Sequence, residues 1–201
     1  MARKLDQILV VDVESTCWDG PPPGGEESEI IEIGLCVVDV GKLERLSKHS
    51  LLVRPERSTI SPFCTELTTL TPGMFEAAGS LRDAVKRLKQ DFDSKDRLWA
   101  SWGDYDRRQF ERVCAASDVG YPFGITHLNV KSLFAVSLGL KHEVGLDGAY
   151  EMLNLQMEGT HHRGDDDAWN IAGILCLLLG AARTIQRGQA FWLNHSNPES
   201  R

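Results

Sequence analysis

Residues 7–13, Gln-Ile-Leu-Val-Val-Asp-Val, place apolar side chains at successive positions, not alternate ones. A short β-branched run of this kind predicts a strand buried on both faces. Such a strand must lie inside a sheet that other elements cover from either side. That requirement favours architectures in which helices are layered on a sheet.

The rest of the chain supplies those elements. Cys17–Ser28 contains Pro21-Pro22-Pro23-Gly24-Gly25, which predicts a surface loop. Glu29–Val40 and Leu43–Val53 read as two further strands with a turn near Gly41, an antiparallel meander leading off the first strand. Arg54–Gly79 is irregular, with Pro55, Pro62 and Pro72 and a short helix at Phe63–Leu70. In Ser80–Phe92, Leu81, Ala84, Val85, Leu88 and Phe92 fall on one helical face. Leu98–Trp102 predicts a strand, and Asp104–Ser117 a helix with Asp104 as its N-cap. Thr126–Val130 predicts a strand, followed by helices near Val130–Leu138 and Leu146–Leu153. Asp165–Arg187 is the last and longest helix, opened by acids that suit its N-terminal dipole. This order predicts one α/β domain over residues 1–201, with a mixed sheet, a core at about 7–185 and a frayed polar tail after Asn194.

Chemistry enters at the end of the first strand. Asp12 and Glu14 are two apart, so both carboxylates project from one face. Adjacent carboxylates in a partly buried place repel, and a hard divalent cation is the usual remedy. Asp106 follows another short strand, with Asp104 competing for its role, and Phe110 four residues on packs inward. His162 lies in the loop before the last helix and Asp167 in that helix's first turns. A loop histidine beside a metal site suits a general base on water, and His161 is the alternative in the same loop. Helix capping alone accounts for at least one of Asp165, Asp166 and Asp167. Taken together, the four carboxylates could hold two cations, Mg²⁺ or Mn²⁺, and support hydrolysis of a phosphodiester.

The net charge of −7 lacks the basic footprint of a protein that grips long duplexes. It is compatible with a short strand end held through bound cations, to which an acidic cluster contributes. Five cysteines, with no C-x-x-C pair, predict reduced thiols in a cytoplasmic protein. The N-terminus has no signal-peptide pattern, and the longest apolar stretch, Ile171–Ala182, is too short to span a bilayer.

This ordered set resembles the DEDD superfamily of 3′-to-5′ exonucleases, in its histidine-containing branch. Asp12 and Glu14 match the first motif, Asp106 the second, and His162 with Asp167 the H-x-x-x-x-D third motif. DVESTCWDG is similar to the D-x-E-x-T-C opening of Eri-type exoribonucleases, a group with bacterial KapD-like members. SEIIEIGLCVVD, PFCTELTTLTPGM, SWGDYDRRQF and HRGDDDAWNIAGI extend the likeness over about residues 7–185. The resemblance implies an RNase H-like fold with a five-stranded mixed sheet flanked by helices. It implies two Mg²⁺ or Mn²⁺ ions, single-stranded RNA or DNA 3′ ends as substrate and nucleoside 5′-monophosphates as product. It further implies that Thr16, Cys17 and Trp18 shape the terminal-nucleotide pocket and that Leu67 and Thr68 lie near the terminal base. Trp18, Trp102 and Tyr105 are candidate stacking faces. The Eri-type proteins often carry an added nucleic-acid-binding domain for which this length has no room, which leaves recruitment by a protein partner open. A DNA exonuclease of repair or proofreading type, and a non-catalytic adaptor on the same fold, are the rival readings.

Overall fold

The apolar run at residues 7–13 becomes the centre of a five-stranded mixed sheet. In the computed structural model, which describes residues 4–187, β1 (Lys4–Ser15) pairs antiparallel with β2 (Ile30–Asp39) and parallel with β4 (Arg97–Ser101). With β3 (Glu44–Leu52) and β5 (His127–Asn129) the order is β3-β2-β1-β4-β5. The helices are α1 (Pro62–Thr68), α2 (Leu81–Asp91), α3 (Tyr105–Ala116), α4 (Val130–Ser137), α5 (Leu146–Met152) and α6 (Gly164–Arg187). A 3₁₀ turn at Pro72–Phe75 lies within the stretch expected to be irregular.

Alternation along β1 divides the core. Leu9, Val11 and Val13 pack on one side with Leu88 of α2 and Phe110 and Val113 of α3. Ile8 and Val10 pack on the other with Phe134 of α4, Ala149 of α5, and Ile171 and Leu175 of α6. Asp12 and Glu14 continue the row of Ile8 and Val10. The row turns from apolar to acidic where β1 reaches the N-terminal end of α6.

That approach depends on two glycines. A Cβ on Gly34 of β2 would lie 1.8 Å from the Gly164 carbonyl carbon, so α6 begins hard against the sheet backbone. A Cβ on Gly164 would lie 3.2 Å from the Asp12 carbonyl oxygen. The first turn of α6 is thereby delivered beside the acids of β1.

Two expectations are corrected. β1 runs past Gln7–Val13 at both ends: the Lys4 amide bonds the Asp96 carbonyl at 3.1 Å, and Glu14 still pairs with Glu32. Asp104 occupies the N-cap position of α3 but makes no capping hydrogen bond. Its backbone is already helical, and its carboxylate faces Arg107 at 3.3 Å and His127 at 3.8 Å instead. The tail after Asn194 lies outside the described residues. Among the described residues, no helix is long and apolar enough to cross a membrane.

Candidate active site

Three elements converge on one cleft of about 240 Å³. The end of β1 brings Asp12 and Glu14, the first turn of α3 brings Asp106, and the first turn of α6 brings Asp167. Asp12, Glu14 and Asp167 offer carboxylate oxygens that all lie within 4.8 Å of one another. Asp106 lines the same cleft, walled by Trp102, Tyr105, Leu146, His161 and His162. Asp106, not Asp104, is the α3 acid in this group.

Each acid has a structural reason to be where it is. The pairing of β4 with β1 ends at Val10–Ala100, and beyond it the Val13 amide donates to Asp106 Oδ1 at 3.0 Å. A side chain from α3 thus takes over where the neighbouring strand stops. Asp167 accepts the His162 amide at Oδ2, 2.9 Å away, and so closes the turn that precedes its own helix.

Crowding and burial disfavour the charged forms. Burial, then Asp106, Glu14 and Asp167, push the Asp12 carboxyl well above the usual carboxylate range. Burial, followed by Asp167, Glu32 and Asp106, pushes Glu14 up to about 9. Burial pushes Asp106 up to about 6, against the lowering effect of the Val13 amide and Ser101. Asp167 is raised by burial and partly restored by His161. Among the described residues no lysine or arginine lines the cleft, and Arg163 outside it only partly counters the rise at Glu14. Clustered hard oxygen donors without a cationic side chain fit a divalent cation.

The histidine pair is arranged unexpectedly. His162 adopts φ +63°, the left-handed region, which brings its ring against that of His161 with centroids 4.0 Å apart. His161 makes the side-chain contact to Asp167, with Nδ1 3.1 Å from both carboxylate oxygens. His162 reaches Asp167 only through its backbone. Burial and then the adjacent His161 hold the His162 imidazole below its ordinary value, so it is neutral at physiological pH. His161, His162 and Asp167 also present ligand atoms within 4.8 Å of one another.

The expected nucleotide pocket is only partly assembled around the cleft. Of Thr16, Cys17, Trp18, Leu67, Thr68 and Tyr105, Tyr105 alone lines it, and this residue is 56 % exposed. Trp102 also lines it, while its indole N–H is held by the Val144 carbonyl at 3.2 Å. Thr16 is 1 % exposed, and its hydroxyl is engaged with the Glu29 amide and Ser58. The Thr68 hydroxyl donates to the Cys64 carbonyl and accepts from the Leu70 amide. Both hydroxyls are spent inside the loop and helix, so neither offers a free group to a ligand. The Cys17 carbonyl accepts from Ser61, the N-cap of α1, and Leu67 is exposed on that helix. The Cys17–Ser61 bond ties the start of α1 to the loop after β1.

One acid escaped the sequence reading. Glu32 lies on β2 opposite Glu14, fully buried, and binds Arg163 and the Gly164 amide. In the run Glu-Ile-Ile-Glu-Ile it reads as an ordinary polar member of a strand. The signal available was an acid two residues short of Gly34 in a strand that is otherwise apolar or glycine up to Asp39.

Comparison with known proteins shows the family of the chain. A 3′-5′ exoribonuclease 1 of Rattus norvegicus is 28 % identical over 200 residues, covering 94 % of this chain and 56 % of that protein. An exoribonuclease of Bos taurus, ERI1 exoribonuclease 3, is 28 % identical and covers 86 % of this chain and 53 % of that protein. The chain therefore spans about half the length of these relatives. The nuclease domain of 3′hExo, a DEDDh family member bound to rAMP, superposes with a TM-score of 0.77 at 26 % identity, over 88 % of this chain and 92 % of that one. The fold is that of the RNase H-like exonucleases. The exonuclease model RNase T matches residues 9–175, a span that holds all four clustered acids and both histidines, and the chain belongs to that exonuclease family.

Proposed function

We propose that this protein is a metal-dependent 3′-to-5′ exonuclease that removes nucleoside 5′-monophosphates from single-stranded RNA. The observation that carries the proposal is the convergence of Asp12, Glu14, Asp106 and Asp167 beside His162 in one open cleft. The relatives at 28 % identity, both exoribonucleases by name, favour RNA over DNA.

The four carboxylates would hold two Mg²⁺ or Mn²⁺ ions. Bound there, the ions would acidify the attacking water and stabilise the leaving 3′ oxygen. Each side chain then has a defined task. His162, uncharged at physiological pH, accepts the proton of the water. Asp106 keeps α3 registered against β1 through the Val13 amide, and so sets the distance between two of the acid-bearing elements. Tyr105 offers an exposed aromatic face beside the acids, on which a terminal base can stack without its sequence being read. The net charge of −7 favours a short grip on the strand end, with a protein partner supplying further recruitment. The five cysteines, all free thiols, support a reducing compartment such as the cytoplasm.

The test uses 5′-labelled single-stranded RNA and matching DNA with Mg²⁺, Mn²⁺ or EDTA, beside Asp12→Ala. A metal-dependent ladder that shortens from the 3′ end, faster on RNA and absent in the variant, is the expected result. Equal rates on DNA would move the substrate class. No cleavage of either polymer by folded, metal-loaded protein would favour a binding role for the same cleft.

A further inference from the structure

We propose that Glu32 is a positioning residue for the reaction, acting through Arg163 to hold the His161–His162 turn in register with the acids; the inference rests on the exonuclease reading above. Glu32 is 0 % exposed and stands opposite Glu14 in the β1–β2 register. A buried carboxylate so close to four others would suggest a fifth ligand. Its hydrogen bonds argue otherwise. Oε2 accepts Arg163 Nε at 3.2 Å and the Gly164 amide at 2.9 Å. Oε1 accepts Arg163 Nη2 at 3.0 Å and the Ser50 hydroxyl. All four of its acceptor positions are filled, and it does not line the cleft.

What Glu32 grips is the link between His162 and α6. Arg163 and Gly164 are the two residues between the histidine and the acidic first turn that ends in Asp167. His162 holds a left-handed backbone, which a non-glycine residue keeps only where surrounding contacts fix it. Two contacts do so. One is its own amide on Asp167. The other is the two-pronged Arg163–Glu32 pair, whose planar geometry fixes orientation as well as distance. Asp167 has a second duty as a proposed cation ligand, whereas Glu32 has none. Glu32 is therefore the anchor that holds the turn to the sheet independently of what occupies the cleft. Lys48 on β3 adds a parallel tie to Asp165 and Asp166, so β2, β3 and the head of α6 form one clamp.

The experiment compares Glu32→Gln, Arg163→Met, Arg163→Lys and the Glu32→Gln/Arg163→Met double variant. Glu32→Gln and Arg163→Met should each lower kcat about 10–100-fold, the range typical of groups that orient metal-site residues, with KM little changed. Arg163→Lys should recover part of the loss, since it keeps the charge but not the planar fork. The double variant should be no worse than the worse single, because both remove one interaction. Leu88→Ala, in the core on α2 and outside the cleft, serves as the control for destabilisation alone. It should lower the melting temperature without lowering kcat at an assay temperature below the melt. Hydrogen exchange gives a readout independent of activity: the His162 amide should lose protection in Glu32→Gln. Full kcat in Glu32→Gln, an equal kcat loss in Leu88→Ala, or a His162 amide still protected in Glu32→Gln would each overturn the proposal. Absence of cleavage by the wild-type protein would instead count against the exonuclease reading, and the exchange measurement would still decide the role of Glu32.

Discussion

The backbone amide of Val13 donates a 3.0 Å hydrogen bond to the carboxylate of Asp106, joining β1 to α3 at the point where β4 no longer pairs with β1. One oxygen of a candidate metal ligand therefore also satisfies a buried backbone donor. The two duties separate by substitution. Asp106→Asn removes the charge but keeps an acceptor for Val13, whereas Asp106→Ala removes both. Both variants should lose cleavage. Asp106→Ala should unfold about 1–3 kcal/mol more easily than Asp106→Asn, the cost of an unsatisfied buried amide. Urea melts in EDTA measure the difference. Equal stability of the two variants would show that the bond contributes nothing.

The acid cluster makes the metal-free protein sensitive to pH. Glu14 is raised from 4.5 to about 9 in the folded protein, chiefly by burial. The folded state therefore keeps a proton that the unfolded state releases, and stability falls as pH rises through that window. Asp106 adds a smaller effect in the same direction, between 3.8 and about 6. In EDTA the melting temperature should be higher near pH 5 than near pH 8, and Glu14→Gln should flatten that slope. Because a cation binds the deprotonated acids, stabilisation by Mg²⁺ should grow with pH. A wild-type slope identical to that of Glu14→Gln would exclude Glu14 as its source.

Much of this arrangement is legible in the chain. The unbroken apolar run before Asp12 forces a central strand, and the two-residue spacing of Asp12 and Glu14 puts both on one face. The acids that open α6 announce a helix N-terminus, whatever else they do. Long-range pairing is what local pattern cannot report. Glu32 and Arg163 are 131 residues apart, and nothing near either one names the other. Thr16 and Thr68 show what a segment's likeness leaves out. They stand in segments that resemble a nucleotide pocket, and the pattern does not report that nearby backbone groups engage their hydroxyls. The order of His161 and His162 around Asp167 depends on a left-handed φ at His162, a conformation that histidine tolerates better than most residues but that does not show which of two adjacent histidines adopts it.

Those two histidines make opposed predictions. His162 is the base proposed from its spacing to Asp167, while His161 makes the side-chain contact with Asp167. His162→Ala should lower the rate about 10²–10⁴-fold, the usual contribution of a general base. His161→Ala should be milder, with the acid limb of the pH–rate profile retained. Single-turnover rates across pH decide between them. A larger loss in His161→Ala, with the acid limb abolished, would transfer the base to His161.

Direct removal of ligands should separate function from folding. Asp12→Ala and Asp167→Ala should each abolish cleavage and the thermal stabilisation by Mg²⁺, yet remain folded, because each relieves repulsion in a crowded cluster. Asp167→Ala should also free the His162 amide, so its turn should exchange faster than in Asp12→Ala. Substantial activity in either variant would remove that residue from the metal site.

The contact between Gly34 and Gly164 yields the most mechanical prediction. A methyl group on Gly34 would overlap the backbone at Gly164 and Asp165, which cannot rotate aside as a side chain can. The head of α6 must then lift from β2, and with it Asp167 and the histidine turn. Overpacking of this kind costs about 1–3 kcal/mol or more, and here the strain falls on the element that carries the chemistry. Gly34→Ala should therefore lose both stability and rate, with the rate loss persisting well below its melting temperature. Gly73→Ala is the matched control, since a Cβ there meets nothing within 4 Å. It should leave the rate unchanged. Wild-type activity in Gly34→Ala would mean that α6 can shift without moving Asp167, and that the close approach of helix and sheet is not what sets the spacing of the acids.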